Sequence, residues 1–281
     1  MKILILGATG LLGQHLFVGL EDHYKEVFGT IRKLKHKNYF PSRRQKNLIH
    51  VENIFNDDEL ENILRFYKID TVINCISLSN INMQPKEVIY SVFADFPKKL
   101  QKICLKKKIR IVQISSDGVF SGLKGNYTED DIPDPLDTYG EAKLAGELTG
   151  PNQITLRLSM IGHDLINKNG LLEWFLLQKK CSLYSKYVFS GLTTNELTKI
   201  IRDCILDNSS LCGLYNVSAN PISKYDLLKL VAKKYNLKNI FIEDDSVKID
   251  RTLLSSKFYK DTGYKPPAWP KLVDKMKCGE Y

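Results

Sequence analysis

A strand-length apolar run, Lys2-Ile3-Leu4-Ile5-Leu6, opens directly into Gly7-Ala8-Thr9-Gly10-Leu11-Leu12-Gly13 and then into a helical pattern that runs to Leu20. A glycine-rich turn between a strand and a helix points backbone N–H groups at whatever sits before the helix. The partial positive charge of the helix N-terminus favours an anion such as a pyrophosphate. The spacing is G-x-x-G-x-x-G rather than G-x-G-x-x-G, so the assignment rests on the strand-first context and not on the generic fingerprint. Gly7, Thr9, Gly10, Leu11, Leu12 and Gly13 are the first candidate cofactor-binding residues.

Strand-like and helical patterns keep alternating through the first half of the chain. EVFGTI (26–31), LIHV (48–51), TVINCIS (71–77), RIVQISS (110–116) and ITLRLSMIG (154–162) read as further strands. Between them lie an acidic helix start at Asp57-Asp58-Glu59, a helix through Leu100 and Leu105, and one carrying Tyr139 to Leu148. Near-continuous apolar strands separated by helices indicate a parallel sheet covered on both faces. The expectation is an α/β protein with a Rossmann-type doubly wound parallel sheet. After Gly162 the pattern loosens into helices at 170–179, 194–207 and 223–235 and short strands at 187–190, 214–217 and 240–243. Residues 1–162 are expected to bind NAD(P). Residues 163–281 are expected to form a smaller C-terminal α/β substrate lobe, with some segments returning to the first domain.

The chain of 281 residues has a formal net charge of +9, concentrated in 32–46 and 98–110. No nucleic-acid motif or interleaved aromatic stripe accompanies the charge, so small phosphorylated ligands are the expected partners and nucleic acid is not. No apolar run approaches the length of a membrane span, and the first residues lack a signal peptide's long apolar region, so no membrane and a cytoplasmic location are expected. The six cysteines form no C-x-x-C and stand beside no His at ligand spacing. They are expected to be reduced and mostly buried, and no metal is expected.

Two further patterns bear on chemistry. The second strand ends in Ile31-Arg32-Lys33, without the carboxylate that would hold a ribose 2′-hydroxyl. Arg32 and Lys33 suit a 2′-phosphate, so NADPH is the expected cofactor, with NADH the alternative. Tyr139 and Lys143 stand one helical turn apart on one face. Lowering the phenol from its ordinary pKa near 10 by about 3 units needs roughly 4 kcal/mol of differential stabilisation, which an adjacent ammonium in a partly dry site is expected to supply, yielding a proton donor or base for carbonyl chemistry.

GATGLLG (7–13), Asn74-Cys75-Ile76-Ser77, Ile114-Ser115-Ser116-Asp117-Gly118-Val119-Phe120-Ser121-Gly122, Tyr127-x-Glu129-Asp130 and YGEAKLAGE (139–147) together resemble the extended short-chain dehydrogenase/reductases, and within them the dTDP-4-dehydrorhamnose reductase group. The resemblance is closest over residues 1–162. It implies that Ser116 binds a substrate carbonyl, that Tyr139 protonates it, and that Lys143 holds the nicotinamide ribose. It also implies that Asn53, Ile54, Cys75, Ile76, Ser77, Met160 and Ile161 border the cofactor, and that Asp117, Gly118 and Arg251 meet the substrate. Two positions depart from the family: Gly118 where Tyr is common, and Phe93 where Asn is frequent. A nucleotide-linked 4-keto-6-deoxy sugar of surface-polysaccharide synthesis, reduced at its keto group, is the implied substrate. The alternatives are an epimerase or dehydratase holding NAD tightly, and a non-catalytic NADP-binding regulatory subunit. A homodimer is left open. Thr193 or Thr194 is expected to cap a helix, His163 to be structural, and Trp174 and Trp269 to be packing residues.

Overall fold

A computed structural model describes residues 1–164, 166–238 and 240–276. Its strands are β1 (Lys2–Leu6), β2 (Glu26–Ile31), β3 (Leu48–His50), β4 (Thr71–Asn74), β5 (Arg110–Ile114), β6 (Gln153–Arg157), β7 (Met160–Ile161), β8 (Lys180–Tyr184), β9 (Tyr187–Phe189), β10 (Leu192–Thr193), β11 (Gly213–Asn216), β12 (Ile222–Ser223), β13 (Ile240–Asp244) and β14 (Ile249–Asp250). Seven of them make one parallel sheet in the order β11-β6-β5-β4-β1-β2-β3. The order runs outward in both directions from β1 and β4, as a doubly wound sheet requires.

The side-chain alternation of a strand sorts the core into two faces. Ile3 and Ile5 face a layer containing Leu16 and Phe17 of the helix Leu11–Glu21 and Leu197 and Ile201. Leu4 and Leu6 face Leu60, Ile63 and Leu64 of the helix Asp57–Phe66, together with Phe96 and Leu100. Each fully buried Leu or Ile contributes about 1.5–3 kcal/mol relative to exposure. Asn56 starts the Asp57–Phe66 helix by accepting a hydrogen bond from the Glu59 N–H at 3.1 Å, and three carboxylates occupy the first turn.

Several expected boundaries shift. The strands expected at 71–77 and 110–116 stop at Asn74 and Ile114, and the residues beyond leave the sheet at its C-terminal edge. The strand expected at 154–162 splits: β6 stays in the main sheet, while β7 turns away to pair with β10. Strand β8, which pairs with β13, was not expected; its alternation of Cys181 and Leu183 against Lys180, Ser182 and Tyr184 is only five residues long and follows directly on a helical pattern. The helix over 86–107 contains a wider π turn at Ser91–Asp95, between Lys86–Tyr90 and Phe96–Lys107.

Part of the positive charge is structural. The Arg110 guanidinium donates to the carbonyls of Ile205, Asn208 and Leu211, and Arg44 is held by Glu21 and Asp22. Of the cysteines, Cys104 is buried, Cys75, Cys181 and Cys204 are half-buried and Cys212 is exposed, fewer buried than expected. These five are free thiols; Cys278 lies outside the described residues. Among the described residues no helix is long and apolar enough to cross a membrane.

Candidate active site

The glycine turn leaves β1 through Gly7, whose φ of +78° lies in the region that glycine tolerates. Gly7 donates its N–H to the Thr30 hydroxyl at 3.0 Å, tying the turn to β2. A Cβ on Gly13 would overlap the Gly7 carbonyl oxygen, so the helix packs on the turn more closely than any other residue allows. No side chain caps that helix at Gly10. Its first N–H groups are therefore free for an anion, and the cradle fits a pyrophosphate. Leu12 is buried beneath the turn, and the Thr9 carbonyl accepts a hydrogen bond from Asn167 at 3.0 Å.

Cys75 and Ile76 are the expected cofactor residues that the structure brings against this turn. Backbone atoms of Cys75 and Ile76 lie against Gly7, and Ser77 follows, exposed. Arg32 and Lys33 are exposed just beyond β2 and form no ion pair among the described residues. Burial, and then the neighbouring Lys33, Lys35 and Arg32, hold the His36 imidazole below its ordinary pKa, so this rim is positive. The Asn53 side chain is occupied locally, accepting from the Phe55 N–H at 3.1 Å, with Ile54 half-buried between them. Met160 and Ile161 lie in β7. Replacing Arg32 and Lys33 by Ser is expected to raise the Kd for NADPH by ten- to a hundredfold, the loss of one or two charge-assisted hydrogen bonds of about 1.5–3 kcal/mol. The Kd for NADH should change little; parallel titrations of both cofactors check this, and equal losses for the two would refute it.

Ser116, just past the C-terminal end of β5, meets Tyr139 and Lys143 of the helix Thr138–Ala145 there. Ser115 and Ser116 are adjacent, yet only one is available. Ser115 donates to Glu147 at 2.7 Å, and Glu147 is gripped by Arg157 through two hydrogen bonds of 2.8 Å. The Ser116 hydroxyl accepts from the Gly118 N–H at 3.0 Å and donates to Asp117 at 3.3 Å, and a Cβ on Gly118 would meet both this hydroxyl and the Tyr139 ring, which places the two side by side. The helix Thr138–Ala145 begins on Asp137, whose carboxylate accepts from the Gly140 N–H at 2.7 Å, and this start sets the position of Tyr139.

The expected effect of Lys143 on the phenol is not what the geometry produces. The buried ammonium donates to the Ile114 carbonyl at 3.0 Å and sits 4.6 Å from the centroid of the Phe93 ring but 5.9 Å from that of Tyr139. Burial pushes the Tyr139 phenol up to about 12; the Ser116 hydrogen bond pulls it down, while Asp117 and Asp137 push it up. Tyr139 therefore keeps its proton rather than being acidified. Burial also lowers the Lys143 ammonium to about 8, against the opposing pull of Cys75 and Glu147. NADPH affinity and turnover are expected to fall together as pH rises through about 8, because the ammonium is lost there while the phenol keeps its proton. Measuring kcat and Kd from pH 6 to 10 checks this; a flat Kd across that range would refute it.

Phe93, buried in the π turn, meets Tyr139 edge to face at 5.2 Å and 87°. The ring thus touches both members of the pair where the family's Asn would offer an amide. A Cβ on Gly146 would overlap the Phe93 carbonyl oxygen, which explains the glycine in YGEAKLAGE.

The signature between residues 117 and 134 is largely scaffolding. Tyr127 stacks on Phe120 at 4.1 Å and its hydroxyl accepts from the N–H groups of Gly122 and Lys124. Glu129 accepts from the Asn216 N–H at 2.8 Å, and Asp134 binds both N–H and hydroxyl of Ser121. A Cβ on Gly118 would lie 3.2 Å from the Ser116 hydroxyl and 3.5 Å from the Tyr139 ring, so this glycine keeps the approach to both clear. Asp117 and Arg251 act on one another beside Ser116. Lys224 and Tyr187, which have no motif around them in the sequence, join that group.

A family model described as the RmlD substrate binding domain matches residues 1–170. The chain belongs to that family. It is 29% identical over 168 residues to a probable low-salt glycan biosynthesis reductase of Haloferax volcanii, a match spanning 57% of this chain and about half (54%) of that protein. It is 22% identical over 316 aligned residues to methionine adenosyltransferase 2 subunit beta of Xenopus laevis, covering 98% of this chain and 89% of the relative. The dTDP-4-dehydrorhamnose reductase of Bacillus anthracis, solved with NADP, superposes with a TM-score of 0.79 at 18% identity and 98% coverage of both chains. That likeness supports the shared fold.

The remaining expectations resolve as follows. Thr193 caps the helix beginning at Thr194, accepting from the Glu196 N–H at 3.4 Å. The His163 ring bridges Glu173 at 2.9 Å and Tyr235 at 2.7 Å, away from Tyr139. Trp269 is buried and bonded to the Asn220 carbonyl, whereas Trp174 is 44% exposed, against the expected packing role.

Proposed function

We propose that this chain is an NADPH-dependent reductase of the keto group of a nucleotide-linked sugar, with a 4-keto-6-deoxy hexose as the substrate class. The observation that carries the reading is the buried, protonated Tyr139 phenol beside Ser116, both facing Gly118, with the buried Lys143 ammonium one turn along the same helix, at the sheet edge that also bears the glycine turn. When bound, the dihydronicotinamide supplies a hydride. Ser116 and Tyr139 bind and polarise the carbonyl oxygen, and the phenol delivers its proton as negative charge develops there. Lys143 has two N–H groups left after its bond to Ile114, enough to hold a ribose diol. A phenol that stays protonated suits reduction better than the reverse oxidation, which needs a phenolate at the start. Residues 1–162 hold the cofactor in this reading, and 163–281 the substrate.

The kinship with a glycan-biosynthesis reductase supports this assignment. The purified chain with NADPH and a dTDP-4-keto-6-deoxyhexose should consume NADPH stoichiometrically with substrate. The end-to-end similarity to a methionine adenosyltransferase subunit favours a second reading, a cofactor-binding regulatory subunit. Tight NADPH binding without turnover on dTDP-, UDP- or GDP-linked keto sugars would replace the first reading by the second.

A further inference from the structure

Strand β13 is held along one edge only. It pairs with β8 and with no other strand among the described residues. The Ile240 N–H donates to the Lys179 carbonyl at 3.1 Å, and the Asp244 carbonyl accepts from the Ser185 N–H at 2.9 Å. Residues 240, 242 and 244 therefore turn their backbone groups toward β8. Phe241 and Glu243 turn theirs to the opposite, open edge. The side chains alternate between the two faces. Phe241 packs inward, its ring centroid 5.4 Å from that of Phe175. Ile240 and Ile242 lie on the outer face, 62% and 45% exposed, beside Lys180 and Ser182 of β8.

An edge of unpaired N–H and C=O groups next to two exposed isoleucines is a template for another strand. The charge along it selects which strand fits. Lys179, Lys180 and Lys238 stand exposed at one end of the β8–β13 pair. Glu243, Asp244 and Asp245 stand at the other, where Asp245 also meets Lys186 at 2.8 Å. A parallel copy of the strand would set like charges side by side. An antiparallel copy sets each basic end against an acidic one.

We propose that β13 pairs antiparallel with β13 of a second copy of this chain, making a continuous sheet in the order β8-β13-β13-β8 across a two-fold axis. Ile242 then faces its twin on the axis. Phe241 of each copy faces Glu243 of the other, and each such pair exchanges both backbone hydrogen bonds. The two Ile242 side chains share the outer face, with their Cα atoms about 4.5 Å apart. This contact is smaller than a permanent interface, so the dimer is expected to be weak, with a Kd on the order of 10–100 μM.

Sedimentation velocity of the full chain from about 1 to about 500 μM brackets that Kd, and the wild type is expected to pass from monomer to dimer across the range. Glu243→Pro removes an outward N–H and keeps the pairing with β8, as proline at a free strand edge does. It is expected to raise the Kd at least tenfold with an unchanged circular dichroism spectrum. Ile242→Asp sets two carboxylates together on the axis and is expected to do the same. The surface control Leu123→Asp is expected to leave the Kd unchanged. Oxidative cross-linking gives a second measurement. Ile242→Cys is expected to form an inter-chain disulfide, because about 4.5 Å between Cα atoms is within disulfide reach. Ile240→Cys, whose twin lies about 14 Å away along the strands, is expected to cross-link no more than the wild-type thiols do. A wild type that stays monomeric to about 500 μM, a dimer that either folded variant leaves unchanged, or cross-linking at 240 as strong as at 242 would overturn the proposal.

Discussion

Tyr139→Phe is expected to lower kcat by about a thousandfold, within the range that general acid catalysis supplies, while NADPH binds within about twofold of wild type. In the proposed reaction the phenol is the proton source for the alkoxide that forms as hydride arrives, and its position is set by the Asp137 cap and the Phe93 ring. Phe preserves the edge-to-face contact and the helix, so thermal stability should hardly change. Burial keeps the wild-type phenol protonated across the physiological range. Stopped-flow NADPH oxidation gives kcat and cofactor fluorescence gives Kd. Turnover within tenfold of wild type would remove Tyr139 from its role.

Glu147→Ala should be the most damaging single change to the fold. Glu147 and Arg157 are nearly fully buried and joined by two 2.8 Å hydrogen bonds, and the same carboxylate accepts from Ser115. Removing one member leaves an uncompensated guanidinium in the interior, which costs about 3–5 kcal/mol. For a chain of this size, that is a drop in Tm of roughly 10 °C. Glu147→Gln, which keeps an acceptor for Ser115, should fall by less. A melt of Glu147→Ala within 2 °C of wild type would contradict this account of how Ser115 is kept occupied.

Much of the fold follows from patterns short enough to read along the chain. The run 2–6, the glycine turn and the stripe Leu60, Ile63, Leu64 each carry their own periodicity, and burial on both faces of a parallel sheet leaves that mark in the sequence. The selection of Ser116 over Ser115 came from the family pattern; the structure gives a reason, namely that Glu147 already occupies Ser115. Arg110 and Arg44 look like members of solvated basic runs, and only the distant carbonyls and carboxylates that they meet make them structural. Lys224 and Tyr187 had no local signal at all, because their neighbour Arg251 is remote in sequence and close only through β9, β12 and β14.

From the sequence alone come the order of the main-sheet strands through the first 160 residues, the glycine turn after β1 and the identity of the Tyr139–Lys143 pair, because each depends on residues within one or two turns of one another. Tertiary structure alone decides the protonation of that pair. Whether a phenol gains or loses its proton depends on how much water and which charges surround it. Here those surroundings are Phe93, Asp117 and the Ile114 carbonyl, brought together from three different stretches of chain.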